Sequence, residues 1–185
     1  NHGPFRHPDV SNIKLFLIAH EDQKDLAIEL YGYIKNGYGT GFSHYIGLHH
    51  YLGLPFTLVK GITFSSVDDP IPEISQKLGT MQFDPNDKYI AIYLTPISKH
   101  TKNTNQKAIY YRIKELLLYN DIALQCIETD KMSAHLDEEK RKKRSGFTYT
   151  LQNMSIAINA KLGGTPWRIA VPEKRELVIG VGAFK

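Results

Sequence analysis

The chain has 185 residues, and 42% of them are hydrophobic, so it can bury the core of one domain with a small piece of a neighbour. Its net charge of +4 permits a polyanionic partner without requiring one, and its single cysteine, Cys126, excludes an internal disulfide framework. No apolar run approaches the roughly 18 residues of a membrane-spanning helix and no signal-peptide pattern is present, so we expect a cytoplasmic location and no membrane partner.

Strand and helix patterns alternate along the chain after a proline-containing lead-in. Buried-strand patterns cover 13–20, 55–61, 88–95 and 122–127, and helix patterns cover 21–35, 43–53, 69–78, 104–119 and 151–164, the last ending on two glycines. Strands separated by helices predict βαβ units, and therefore an α/β fold with a Rossmann-like parallel sheet and helices on both faces. Because the chain begins with Asn1 rather than methionine, we expect it to be part of a longer protein.

Several local features have simple structural interpretations. Ser43 is a candidate N-cap of the second helix, and Thr104 or Asn105 is a candidate N-cap of the fourth. The glycine-rich stretch 36–42 follows a helix instead of joining a strand to a helix, so we interpret it as a loop and not as a dinucleotide-binding fingerprint. The histidines within 44–50 lack acidic or cysteine residues at ligand spacing, which favours surface or structural histidines over a metal site.

The segment 135–146 is strongly charged and contains the basic run 140–144. A run of this kind is most often a solvated surface of a protein. The alternative is a contact with the backbone of a nucleic acid, which basic side chains bind through its phosphates. Both interpretations of the run remain open from composition alone.

Two of the predicted helices carry selected residues at a spacing of four, which places them on one helix face. Tyr110 and Lys114 share a face of the fourth helix, and Asn153, Ala157 and Lys161 share a face of the last helix. An aromatic ring beside an ammonium suits the terminal nucleotide of a strand, because the ring can stack on the base while the ammonium meets the phosphate. The small alanine in the second set leaves room for a ligand to approach.

Ligands of parallel sheets sit beyond the carboxyl ends of the strands, so we expect Gln125, the loop after Thr95 and the helix near Tyr110 to face one crevice. A terminal phosphate monoester carries about −1.5 to −2 charges near pH 7, which two lysines and an amide donor would match. Structural roles also explain these residues. Lys161 complements a helix C-terminus, Tyr110 can be a half-buried core residue, and Gln125 can end a strand.

Three short motifs occur in the order found in one protein family. NMSIAINAKLGG (153–164) resembles the signature at which the MID domain of Argonaute proteins meets the PIWI domain, YYRIK (110–114) resembles its tyrosine–lysine pair, and LQC (124–126) resembles its glutamine–cysteine pair. The resemblance covers residues 11–185. It implies a lead-in at 1–10, a Rossmann-like MID domain at 11–165, and a linker with the first strand of an RNase H-like PIWI domain at 166–185.

In that family the MID domain holds the 5′-phosphorylated end of a guide strand. The resemblance implies that Tyr110 stacks on the first base and that Asn153 makes a further guide contact. The implied phosphate-binding residues are Lys114, Gln125 and Lys161. The implied partners are a short 5′-phosphorylated guide, RNA in preference to DNA, and a complementary DNA target.

Two further features resemble functional parts of the family. The polar loop 96–106 resembles the segment that senses the identity of the first base. Ala157 stands where some members have a second lysine, which fits members that use a divalent cation instead. The implied cofactor is therefore Mg²⁺ bridging guide phosphates, and the resemblance leaves its protein ligands unknown.

The sequence IGVG (179–182) resembles the first PIWI strand, on which slicing Argonautes carry the first catalytic aspartate. Gly182 takes that position, and glycine cannot ligate the metal ions that two-metal hydrolysis requires. We therefore expect no catalytic residues and no enzyme activity in this chain. It resembles the short, catalytically inactive prokaryotic Argonautes, which recognise invading nucleic acid in defence and activate an associated effector of TIR or sirtuin-like type.

Two other functions remain open. One is a small-molecule or nucleotide-binding enzyme on a flavodoxin-like or Rossmann-like sheet. The sequence gives this enzyme function little support. No glycine motif that binds phosphate joins a strand to a helix, and no acid–base pair has a spacing that indicates catalysis. The other is a protein-interaction module, which would bind a partner protein but no oligonucleotide.

Overall fold

The computed structural model describes residues 3–39, 44–98, 100–140 and 146–168, without the side chains of 138–140. The strands in these ranges are β1 (Asn12–His20), β2 (Phe56–Leu58), β3 (Ile62–Phe64), β4 (Asp87–Thr95) and β5 (Ile122–Glu128). The helices are α1 (Lys24–Asn36), preceded by a 3₁₀ turn at Glu21–Gln23, α2 (Leu48–Leu52), α3 (Ile71–Gly79), α4 (Thr104–Tyr119), α5 (Thr129–Lys140) and α6 (Phe147–Lys161). No helix within the described ranges has both the length and the apolar character that crossing a membrane requires.

The strands form one sheet in which every described strand pair is parallel. Their order is β2–β1–β4–β5, and β3 also pairs with β1. The central strands β1 and β4 are largely buried, and parallel strands covered on both faces need apolar side chains on both faces. This is why 13–20 and 88–95 read as nearly continuous apolar runs, and the predicted α/β fold with a parallel sheet is confirmed.

Helices cover both faces of the sheet, as predicted. One cluster of buried side chains joins α1, α2, α5 and α6 to one face, and a second cluster joins α3 and α4 to the opposite face. Representative members are Leu48, Met132 and Leu151 in the first cluster, and Ile74 and Ile113 in the second. Burying one such side chain contributes roughly 1.5–3 kcal/mol to the free energy of unfolding.

The strand expected at 55–61 covers only Phe56–Leu58 (β2), so its predicted end is wrong, and a second short strand that was not predicted, β3, follows at Ile62–Phe64. Both strands pair with β1, and residues 59–61 lie between them. Gly61 approaches β1 so closely that a Cβ built on it would lie 2.8 Å from the carbonyl oxygen of Leu17. Glycine is therefore the residue that lets the chain pass along this edge between the two pairings.

The helix expected over 43–53 begins only at Leu48, so the predicted start is wrong. Gly47 has a φ of +100°, a backbone conformation outside the α-helical region that glycine adopts readily. The helix therefore cannot extend back through this position. Ser43, the predicted N-cap, lies outside the described residues.

Helix α5 occupies Thr129–Lys140, part of which was expected only as a charged segment. Its buried side chains Met132 and Leu136 are four residues apart, and two apolar residues among charged ones are too few to reveal an amphipathic pattern. Residues 141–144 of the basic run lie outside the described residues. Gly182 and the strand predicted at 179–182 also lie outside them.

The first turn of α4 is capped by Asn103. Its side-chain oxygen accepts hydrogen bonds from the backbone N–H groups of Asn105 at 2.9 Å and Gln106 at 3.3 Å. Asn103 has extended dihedral angles and the helix begins at Thr104, so the predicted caps Thr104 and Asn105 are wrong by one or two positions.

Replacing Asn103 with alanine should lower the free energy of unfolding by about 1 kcal/mol, because two backbone donors of α4 lose their acceptor. Urea denaturation should show a lower midpoint with an unchanged slope. Lys102→Ala, at an exposed neighbouring position, should change the free energy of unfolding by less than about 0.5 kcal/mol. Equal midpoints for Asn103→Ala and the unaltered protein would contradict this cap.

The lead-in lies against the segment that follows α6. Arg6 and Thr165 form an antiparallel bridge, with backbone N–H to carbonyl distances of 3.0 and 2.7 Å in the two directions. The N–H of Phe5 donates to the carbonyl of Pro166 at 3.1 Å, and the Arg168 guanidinium lies 4.7 Å from the centre of the Phe5 ring. These contacts, which no periodicity in the sequence indicates, hold the two ends of the described domain together.

Candidate functional site

Strand β5 lies at the edge of the described sheet, next to β4, and helices from both faces contact it. Successive side chains of a strand point to opposite faces. Ala123 and Ile127 pack in the cluster that contains α6, whereas Leu124 and Cys126 pack in the cluster that contains α4. Gln125 therefore faces α6, and the helices that carry the candidate residues meet at one edge strand from opposite sides.

Lys161, in the last turn of α6, is held against this edge. Its Nζ donates to the backbone carbonyl of Leu124 at 2.6 Å and to Oε1 of Gln125 at 2.7 Å. Gln125 Nε2 donates in turn to the carbonyl of Cys126 at 3.0 Å. Because an ammonium has three N–H donors, the two contacts leave a third donor of Lys161 for a ligand.

Tyr110 and Lys114 approach the same edge from α4. The partly buried Tyr110 hydroxyl lies beside the thiol of Cys126, and burial, with Cys126 and Tyr111 adding to it, raises the pKa of Tyr110. Burial also raises the pKa of the Cys126 thiol to about 12, although the charges of Lys161 and Lys114 oppose the shift. The thiol is therefore neutral near pH 7 and is not a nucleophile, and both lysines lie close enough to influence it.

Lys114 and Lys161 form a positive site at the β5 edge. The side chain of Lys161 is exposed as a whole, but its ammonium is partly enclosed. This burial lowers the pKa of Lys161. The charge of Lys114 lowers the pKa further, whereas Cys126 opposes the shift. Among the ion pairs between described residues, none includes either lysine. Two neighbouring ammonium groups that are not paired with carboxylates favour the binding of an anion.

A cavity of 480 Å³ opens beside Tyr110 at the carboxyl ends of β4 and β5. Thr95, Gln106 and Tyr110 are among its lining residues, so the loop after β4 and the start of α4 face one crevice, as predicted. Gln125 does not line this cavity. It stands in the middle of β5, which continues to Glu128, so the prediction that Gln125 faces the carboxyl-end crevice is wrong.

Asn153 stands apart from the other candidate residues. It lies eight residues before Lys161, about 12 Å along the axis of α6, and its side chain is exposed. The apolar side predicted for this helix is buried and consists of Leu151, Met154, Ile158 and Leu162. The structure therefore brings four candidate residues together at the β5 edge, namely Tyr110, Lys114, Gln125 and Lys161.

The side chains at this edge do not fit a divalent cation by themselves. No group of three or more His, Cys, Asp or Glu residues within the described ranges could hold a metal ion. The β5 edge offers two ammonium groups, a phenol, a neutral thiol and one amide, whereas Mg²⁺ prefers carboxylate and carbonyl oxygens. A cation here would depend on oxygen atoms of a bound ligand.

Of two polar residues that line the cavity beside Tyr110, Gln106 belongs to the predicted loop 96–106, whereas Glu128 was not predicted. Gln106 lies in the first turn of α4 and Glu128 ends β5, and both line the 480 Å³ cavity. They come from separate elements, so no spacing along the chain connects them. Their position in the fold could have indicated them, because each lies near the carboxyl ends of the strands, where ligands of parallel sheets bind.

The fold and the β5 edge define an α/β domain with a basic site beside a parallel sheet. A scan against protein-family models gave no match, and a search of curated proteins gave none. Among solved structures, the chain is similar to an Argonaute protein from Methanocaldococcus jannaschii, with a TM-score of 0.55 and 18% sequence identity. The match covers 88% of this chain and 21% of that chain, so the domain has an Argonaute-like fold and spans about a fifth of the similar protein.

Proposed function

We propose that this chain binds the 5′-phosphorylated end of a short guide nucleic acid. The observation that carries the proposal is that Lys161 is held at the edge of β5 by the Leu124 carbonyl and Gln125, on the strand that α4, the helix of Lys114, also contacts. Neither lysine forms an ion pair with a described residue. A terminal phosphate monoester carries about −1.5 to −2 charges near pH 7. It therefore matches two ammonium groups better than a singly charged internal phosphodiester does.

Each side chain has a defined role in this proposal. Lys114 and Lys161 donate to phosphate oxygens, and each charge-assisted hydrogen bond contributes about 1.5–3 kcal/mol. Gln125 accepts from Lys161 and so positions its ammonium at the strand edge. Tyr110 offers its ring to the first base, a stacking contact worth roughly 1–3 kcal/mol, and the exposed Asn153 contacts the guide further along the strand.

The Argonaute-like fold and the order of the sequence motifs support this proposal. For the whole protein, we propose a guide-directed, non-slicing Argonaute that pairs an RNA guide with complementary invading DNA. Recognition of the invading DNA then activates an associated effector protein of TIR or sirtuin-like type. The absence of slicing rests on Gly182, which lies outside the described residues.

A thermal-shift panel separates this proposal from an enzyme that binds a small molecule on a Rossmann-like sheet. A 5′-phosphorylated oligonucleotide at about a hundred times its Kd should stabilise the protein by about 2.7 kcal/mol and raise its Tm by several degrees. NAD, FMN and ATP should leave the Tm unchanged. Stabilisation by one of these small molecules, with none by oligonucleotides, would contradict the proposal.

A further inference from the structure

The last turn of α6, which carries Lys161, ends in a Schellman motif. The N–H of Gly164 donates to the carbonyl of Asn159 at 2.9 Å. The N–H of Gly163 donates to the carbonyl of Ala160 at 3.1 Å. Gly163 has a φ of +89°, a positive value of the kind that this motif requires and that glycine adopts without strain. The motif fixes where the helix ends, and Lys161 is its last helical residue.

Asn159 ties the same turn to a second helix. Its side chain is fully buried, and its Nδ2 donates at 3.0 Å to the backbone carbonyl of Tyr51, in the last turn of α2. The last carbonyls of a helix have no partner within it, so this amide satisfies one of the terminal acceptors of α2. Residues 159 and 161 are about 200° apart around the helix axis. Asn159 therefore faces α2, whereas Lys161 faces β5.

The buried amide of Asn159 has an unfavourable side. Among the described residues its Oδ1 has no hydrogen-bond partner, and an unpaired buried acceptor lowers the free energy of unfolding. An apolar side chain of similar size would avoid this loss. The donor contact of Nδ2 with α2 is therefore the property that distinguishes an asparagine here from a residue that only fills the space.

Gly164 packs directly against this amide. A Cβ built on Gly164 would lie 2.4 Å from Oδ1 and 2.7 Å from Nδ2 of Asn159, which is closer than a methyl group can approach. Gly164 does not have a positive φ, so the lack of space, and not the backbone conformation, requires glycine at this position. The amide of Asn159 thus lies between the carbonyl of α2 and the turn that ends α6, and it fixes the distance between them.

We propose that Asn159 is a positioning residue for the 5′-phosphate site, an inference that rests on the proposed 5′-end binding. By holding the last turn of α6 against α2, Asn159 sets the position from which Lys161 reaches the edge of β5. The Lys161 ammonium lies 2.6 Å from the carbonyl of Leu124 and 2.7 Å from Oε1 of Gln125. A shift of the turn by about 1 Å away from β5 would take both contacts beyond hydrogen-bond range. Asn159 itself lies on the far side of the helix from the phosphate.

Anisotropy titrations with 5′-phosphorylated and 5′-hydroxyl strands of one sequence test this role. Asn159→Ala should reduce the preference for the phosphorylated strand by roughly three- to tenfold, because Lys161 loses its fixed position. The Kd for the hydroxyl strand should stay close to that of the unaltered protein. In a protein that already carries Lys161→Ala, Asn159→Ala should reduce the preference no further. A purely structural role does not depend on Lys161, so an equal reduction in both backgrounds would overturn the inference.

Gly164→Ala disturbs the same contact from the other side. Its methyl group displaces the amide of Asn159, so it should reduce the preference as Asn159→Ala does. Combining the two substitutions should reduce the preference no more than Asn159→Ala alone, because removing the amide makes room for the methyl group. Gly32→Ala is the matched control, since a Cβ there meets no atom within 4 Å, and it should leave the preference unchanged. An unchanged preference in Gly164→Ala would contradict the positioning role.

The unaltered protein separates the failure of this inference from the failure of the proposed function. If it binds the two strands equally, 5′-end binding is wrong and the inference falls with it. If it prefers the phosphorylated strand and Asn159→Ala keeps that preference, or weakens the binding of both strands alike, 5′-end binding stands and the role of Asn159 is wrong. Unfolding midpoints show whether each variant is folded during the titrations. If Asn159→Ala is not folded, Gly164→Ala with and without Lys161→Ala makes the same comparison.

Discussion

Replacing Lys114 and Lys161 together with alanine should abolish the preference of the protein for a 5′-phosphorylated strand over a 5′-hydroxyl strand. Two charge-assisted hydrogen bonds would be lost, so the affinity for the phosphorylated strand should fall by about 3 kcal/mol or more, roughly a hundredfold in Kd. The affinity for the hydroxyl strand should change much less, because it presents no monoester to these ammonium groups. Fluorescence anisotropy titrations with the two strands measure both effects.

The matched control is Lys24→Ala combined with Lys35→Ala. Both side chains are exposed on α1, which packs on β1, so this variant also removes two positive charges but leaves the β5 edge intact. It should keep the preference for phosphorylated strands. Equal losses of that preference in the two double variants would show that overall charge, and not the pocket, determines binding.

Replacing Tyr110 with alanine should weaken the binding of phosphorylated and hydroxyl strands alike, by roughly 1–3 kcal/mol, because stacking on the first base does not depend on the phosphate. Tyr110→Phe keeps the ring and loses only the hydroxyl contact with Cys126, so its affinity should stay close to that of the unaltered protein. The same titrations compare these variants. In both variants, the ratio of the Kd for the hydroxyl strand to the Kd for the phosphorylated strand should remain that of the unaltered protein.

Tyr149→Ala is the control for the loss of an exposed ring. Tyr149 is 59% exposed in the first turn of α6, far along the helix from Lys161. Its replacement should leave both affinities unchanged. If Tyr110→Phe bound as weakly as Tyr110→Ala, the hydroxyl and not the ring would be the important group, and the stacking role would be wrong.

The sequence predicted those parts of the fold that depend on local pattern. The apolar runs of β1 and β4 identified the buried parallel strands, because both faces of such strands are covered. The spacing of Leu151, Met154 and Ile158 identified the buried side of α6. Helix α5 could not be identified in this way, because Met132 and Leu136 are the only apolar side chains of its described part that enter the core.

The candidate site was predictable as a set of residues but not as a geometry. The spacing of four placed Tyr110 and Lys114 on one face of α4, yet nothing local indicated that Lys161 would reach the same strand from the opposite face of the sheet. That meeting depends on β5 being an edge strand, which is a property of the strand order. The same dependence explains why Gln125 binds Lys161 at the side of the sheet instead of facing the crevice at its carboxyl end.

The most direct test of the account is the ratio of two Kd values measured on the unaltered protein. The two ligands are RNA oligonucleotides of identical sequence that carry either a 5′-phosphate or a 5′-hydroxyl group. With Lys114 and Lys161 both engaged by the phosphate, the phosphorylated strand should bind at least tenfold more tightly, which corresponds to about 1.4 kcal/mol. Equal Kd values would contradict the assignment of the β5 edge as a 5′-phosphate pocket.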